Sequence, residues 1–113
     1  MIGQGEVWWA ELGTPGGSEA GFRRPVVIVQ GDLLNASLVA TTVCVPLTSN
    51  LRWARAPGNV LLLKRETGLE RDSVANVSLI LAVDKSRLFD RTGQIARQSL
   101  ERILAGIDVV LGR

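Results

Sequence analysis

The chain contains no histidine. That absence excludes histidine-based triads, paired-histidine ribonuclease chemistry and histidine metal sites together. With a single cysteine, Cys44, a Cys/His zinc site is equally ruled out, and so is an internal disulfide. The carboxylates do not cluster with the spacing of a two-metal nuclease. The glycine-rich stretch Gly13–Gly21 has no Gly-Lys-Ser/Thr ending, so it is no Walker-type phosphate loop. Catalysis, if present, is left to Arg, Lys, Glu, Asp, Ser or Thr, without metal or redox cofactor. No apolar run approaches the ~18–20 residues of a membrane span. Met1–Glu6 lacks the basic and apolar regions of a secretory signal, so the cytoplasm is the expected compartment.

What is present suits one small domain over residues 1–113. Hydrophobic residues make up 46% of the chain, enough for a packed core. A domain this short gains from association, so a homodimer is a reasonable expectation. The formal charge is only +2, but its distribution is uneven. Between Asn50 and Arg65 stand Arg52, Arg55, Lys64 and Arg65 with no acidic residue, and Arg23 and Arg24 form an upstream pair. Such local charge attracts phosphates or acidic protein segments; ordinary solvated loop charge is the competing reading.

The apolar pattern predicts strands first. Glu6–Leu12 reads as a strand, followed by a loop holding four glycines (13, 16, 17 and 21). Val26–Val29 is a continuous apolar run suited to a strand buried on both faces, with Pro25 placed at its first position. Gly31–Ser37 reads as a turn with a helical turn at Asp32–Leu34, and Leu38–Leu47 as a long β-branched strand. Cys44 lies in that strand and is read as a core thiol. A loop at Thr48–Gly58, a strand at Val60–Leu63, a turn at Thr67-Gly68 and a fifth strand over Ser73–Val83 follow. Gly93–Ile95 forms a short sixth strand. Leu100, Ile103, Leu104, Ile107 and Leu111 then recur with helical spacing, with Ser99 or an upstream residue as cap and Gly112 as the stop. The prediction is a mainly β fold of about six strands closed by a C-terminal helix.

Several segments, in order, resemble the MazF/PemK toxins: Gly5-Glu6-Val7-Trp8, Gly17-Ser18-Glu19, Arg24-Pro25-Val26-Val27-Ile28, Val45-Pro46-Leu47-Thr48-Ser49-Asn50, Asp72-Ser73-Val74, and Asp84-Lys85-Ser86-Arg87-Leu88. The match in order and spacing runs over essentially the whole chain. The resemblance implies a small SH3-like β-barrel of the CcdB/PemK type that forms a homodimer. It implies an endoribonuclease that cuts single-stranded RNA such as mRNA without metal. The ribose 2′-hydroxyl attacks the adjacent phosphate, leaving a 2′,3′-cyclic phosphate and a 5′-hydroxyl. It also implies a cognate antitoxin whose acidic, disordered C-terminal tail covers the RNA groove.

On this resemblance Arg24 and Thr48 are the expected catalytic pair. A guanidinium fork stabilises the extra negative charge of a phosphorane, and a threonine hydroxyl donates to a phosphate oxygen or orients the 2′-hydroxyl. Because the arginine pKa exceeds ~12, Arg24 is assigned charge stabilisation rather than base catalysis. Glu19 is a candidate base or orienter and Ser18 a phosphate donor; loop capping is the alternative for both. Ser49, Asn50, Arg52 and Arg55 are expected on the RNA path. Trp53 stacks an extruded base or covers a core edge. Arg23 contacts phosphate or is a solvated charge, and it should face away from Arg24. Of Trp8 and Trp9, only one is expected in the core. Leu79 and Leu81 occupy positions where many family members carry polar residues. That departure keeps two other readings open: a CcdB-type gyrase poison, and a degenerate barrel that only binds antitoxin or nucleic acid.

Overall fold

Alternating buried and half-buried residues make Glu6–Glu11 the first strand, β1, in a computed structural model that describes residues 2–14, 16–17 and 21–113. β1 pairs antiparallel with β2, Arg23–Ile28, placing Trp9 opposite Pro25 and Ala10 opposite Arg24. β2 therefore starts two residues before the proline, not at it. The Leu12 N–H donates to the Phe22 carbonyl, so Trp9/Pro25 falls at a non-hydrogen-bonded pair. The missing proline N–H points away from β1, towards a side where pairing with the next strand begins only at Val26.

The helical turn α1, Asp32–Asn35, leads to β3, Thr41–Thr48. β3 begins three residues later than its apolar pattern suggests, since Leu38 is fully exposed. A 3-10 turn over Leu51–Arg55, the strand β4 (Val60–Leu62) and the helical turn α2 (Lys64–Thr67) follow. The single fifth strand expected over 73–83 is instead two: β5, Ser73–Ala75, and β6, Leu81–Asp84. Both pair with β3, β5 at its Leu47–Thr48 end and β6 at Thr41–Cys44. Three residues separate Cys44 from Leu47 on β3, while six separate their partners Leu81 and Ala75. The 3-10 turn Val77–Leu79 takes up the surplus, which an uninterrupted strand could not.

β7 spans Leu88–Gln94, five residues longer at its start than expected. It is an edge strand on β1, and its Phe89, Asp90 and Arg91 are exposed, so it lacks an apolar run. The resulting curled sheet runs β4-β5-β3-β2-β1-β7, with β6 on β3: seven strands where about six were expected. The helix α3, Arg97–Leu111, ends at Gly112 in the left-handed region (φ 72°), as read from the sequence. Its start has no side-chain cap; the Ala96 N–H donates instead to the Glu66 carboxylate (3.0 Å).

Two cores lie on the two sides of the central strands. Val27, Val45, Leu47, Leu62 and Ile103 join α3 to one face. Val26, Ile28, Cys44, Val83 and Leu88 fill the other, where Trp8 packs at the margin. This double burial explains the continuous apolar run Val26–Val29, and each fully buried Ile or Leu contributes roughly 1.5–3 kcal/mol. No helix among the described residues is long and apolar enough to cross a membrane.

Candidate active site cleft

Beyond Val26 the β2–β3 ladder opens. Continuing its register, in which Val26 faces Pro46, by two residues brings Arg24 opposite Thr48. Both line a cleft of about 630 Å³ at this splayed end of the sheet. Trp9, Arg23, Pro25, Leu47 and Ser49 line it too. The connection between α2 and β5 (Gly68 to Arg71), Ser73 and Thr92 complete the lining.

Arg24 is held against the floor of the cleft. Its Nη1 approaches the Leu47 carbonyl at 3.5 Å, a weak contact. Its Nε is buried with no hydrogen-bond partner, the one such side-chain atom among the described residues. A buried, unsatisfied donor on a cation costs free energy that an incoming anion recovers. Thr48 is complementary. Its Oγ1 accepts the Asn50 N–H (3.2 Å), which turns the chain and leaves its own proton available to a ligand. Together they offer a charged fork and a hydroxyl donor to one anionic centre.

Arg23 behaves differently. Alternation along β2 predicts that it faces away from Arg24, yet both line the cleft. Arg23 pairs with Glu11 (3.0 Å), its cross-strand neighbour, and its guanidinium lies 5.5 Å from the Phe89 ring centroid. Its charge is largely engaged.

The other candidates separate into two groups. Ser49 lines the cleft, and Asn50 caps the 3-10 turn that follows by accepting the Arg52 N–H (3.3 Å). Arg52, Trp53 and Arg55 stand exposed on that turn, outside the cleft lining, and continue the surface from its Ser49 edge. Asn59 anchors the turn by donating to the Trp53 carbonyl (2.9 Å). Ser18 and Glu19 lie outside the described residues. Of the tryptophans, Trp8 packs against the second core and donates to Glu6 (3.0 Å), while Trp9 faces the cleft. Leu79 and Leu81 are half-buried and do not line it.

Glu70, Arg71 and Thr92 join the cleft from outside the motifs picked out in the sequence, while Ser73 lies within one of them. Arg71 was one residue from recognition, adjoining the motif Asp72-Ser73-Val74. In Glu70-Arg71-Asp72 its charge reads as part of a solvated loop.

Residues 3–111 match the family model described as PemK-like, MazF-like toxin of type II toxin–antitoxin system. The chain belongs to that toxin family. The Endoribonuclease MazF6 of Mycobacterium tuberculosis is 41% identical over 111 residues, covering 98% of this chain and 97% of the relative. The Endoribonuclease MazF of Staphylococcus saprophyticus is 32% identical over 112 residues, covering 99% and 92%. Among solved structures, MazF from Deinococcus radiodurans superimposes with a TM-score of 0.82 at 20% identity, covering 99% of this chain and 97% of that one. A mycobacterial endoribonuclease in complex with its cognate antitoxin gives 0.80 at 23%, covering 99% and 96%. The curled sheet with α3 described above thus has the fold of these MazF structures.

Proposed function

We propose that this MazF-like chain is the toxin of a type II toxin–antitoxin pair and a metal-independent endoribonuclease acting on single-stranded RNA, mRNA included. The observation that carries the reading is the shared cleft of Arg24 and Thr48, with a buried Arg24 Nε that lacks a partner. The reaction balances within the RNA itself. The 2′-oxygen forms a bond to phosphorus while the bond to the 5′-oxygen breaks, leaving a 2′,3′-cyclic phosphate. The 2′-hydroxyl loses its proton and the departing 5′-oxygen gains one.

In this reading the Arg24 fork carries the charge that builds on the non-bridging oxygens, and Thr48 donates to one of them. Glu19 takes or orients the 2′-hydroxyl proton and Ser18 contacts the phosphate, both from the loop preceding β2. Ser49, Asn50, Arg52, Trp53 and Arg55 extend the RNA path beyond the cleft, and Arg23 borders it. An antitoxin with an acidic tail fits the same cationic cleft, which three arginines and one glutamate line. A homodimer is proposed because a domain of this length gains stability from association. The cytoplasm is the proposed compartment, where such RNA is met.

Incubation of the purified protein with synthetic RNA in excess chelator, followed by analysis of the product ends, tests the reading. Cyclic phosphate and 5′-hydroxyl ends are expected. Intact RNA with trapped gyrase–DNA complexes would assign the chain to a gyrase poison instead. Neither activity would leave a binding-only barrel.

A further inference from the structure

We infer that Arg71 is a substrate-positioning residue that holds a phosphate group neighbouring the one cleaved. The inference rests on the ribonuclease reading for the identity of the strand, but the cleft geometry gives it independent support.

Arg71, on the connection between α2 and β5, lines the same cleft as Arg24. That connection is fixed at both ends. Gly68 ends α2 in the left-handed region (φ 75°) and lies so close to β7 that a Cβ there would sit 1.9 Å from the Thr92 carbonyl oxygen. Thr92 Oγ1 donates to the Thr67 carbonyl (2.8 Å), and the Asp72 carboxylate accepts the Lys64 N–H (2.9 Å). The backbone on either side of Arg71 is thereby pinned, while its side chain is exposed.

The cation is also unspent. Arg23 is engaged by Glu11 and Phe89, and Arg24 lies against the Leu47 carbonyl. The Arg71 guanidinium has neither an ion pair nor a hydrogen bond among the described residues. A single strand entering the cleft presents one phosphate per nucleotide. With Arg24 on the reacting phosphate, the free fork of Arg71 in the same cleft is left for a flanking one. Glu70 beside it repels phosphate, which narrows the contact to the Arg71 side of the wall. A contact made equally before and during the reaction lowers KM without raising kcat.

The test measures binding separately from cleavage. A short, mixed-sequence single-stranded 2′-deoxyoligonucleotide cannot be cut by 2′-hydroxyl attack, and its Kd is read over a series of salt concentrations. Arg71→Ala is expected to weaken binding about tenfold and to flatten the log Kd against log salt slope by about 0.7, the loss of one phosphate contact on a single strand. Arg71→Lys should recover the slope and part of the affinity. On cleavable RNA, Arg71→Ala should raise KM with kcat nearly unchanged. Equal Kd and equal slope for wild type and Arg71→Ala overturn the inference, whether or not RNA is cut. A protein that binds the deoxy strand through Arg71 but leaves RNA intact upholds the inference and overturns the ribonuclease reading. Unfolding midpoints matched to wild type exclude a fold defect at this exposed position.

Discussion

Arg24 faces Thr48 across the end of the β2–β3 ladder, where the two strands have stopped exchanging hydrogen bonds. The ladder stops at Val26 and Pro46, and the two residues beyond its end line one cleft. On the proposed reading, catalysis and stability conflict at Arg24, whose Nε is buried without a partner.

Arg24→Met should consequently lower RNA cleavage by about a hundredfold or more, the scale of removing one donor to a developing charge. Its unfolding midpoint in urea should be no lower than wild type, because a buried unsatisfied donor is removed. A midpoint that drops sharply would mean that Arg24 serves the fold rather than the site.

Thr48 offers a sharper distinction. Thr48→Ser keeps the hydroxyl that accepts the Asn50 N–H, and cleavage within a few-fold of wild type is expected. Thr48→Val is nearly isosteric but lacks both the acceptor and the donor, and kcat should fall about tenfold or more. Equal rates for the serine and valine variants would remove Thr48 from the mechanism.

Gly106 on α3 bears directly on the chain at Gly58. A Cβ on Gly106 would lie 2.0 Å from the Gly58 carbonyl oxygen, a backbone atom that cannot swing aside. Helix propensity alone predicts that Gly106→Ala stabilises by about 1 kcal/mol. Forced separation of α3 from the sheet opposes this by about 1–3 kcal/mol, so a net loss is expected in urea unfolding. A gain in stability would show that the contact is loose.

Cys44 tests the second core. Burial pushes its thiol up to about 12. A folded-state pKa raised above the unfolded value, ~8.5, contributes stability that is whole below that pH and is lost as pH rises towards about 12. Wild type should therefore lose stability in this alkaline window relative to Cys44→Ala, whatever the variant's baseline. Alkylation of Cys44 at pH 8 should wait for unfolding. Rapid labelling of the native protein would contradict its place in the core.

Asp84 carries the opposite sign. The Ser86 backbone N–H (2.9 Å) and hydroxyl (2.7 Å) hold its carboxylate below the usual range. A depressed pKa gives stability that is present above the unfolded value, ~3.9, and is lost as pH falls through the folded one. Asp84→Asn should flatten this part of the acid limb, modestly because the group is exposed. An unchanged limb would discount the turn.

Local pattern was sufficient for β1, β4, the apolar body of β2 and the course of α3 to its Gly112 stop, since each carries its own period; the starts of β2 and α3 had no reliable boundary residue. The apolar run from Ser73 to Val83 was not, because short strands and a 3-10 turn with apolar residues such as Val77 and Leu79 look alike in hydrophobicity. Only pairing with both ends of β3 requires the break at Val77–Leu79. β7 escaped for the reverse reason: an edge strand exposes polar residues and so resembles a loop.

The chain's order of residues alone determined the chemistry available and pointed to Arg24 and Thr48 as the proposed catalytic pair. A protein without histidine and with one buried cysteine must handle phosphate with guanidinium, hydroxyl and carboxylate groups, and the motifs around Arg24 and Thr48 are contiguous. Tertiary structure alone decided which other residues share the cleft. Arg71, Glu70 and Thr92 reach it through a wall set by the close approach of Gly68 to β7, and Arg52, Trp53 and Arg55 fall outside it. Contacts between residues far apart in the chain leave no local period, so a loop arginine facing a site cannot be told from one facing water until the sheet has curled.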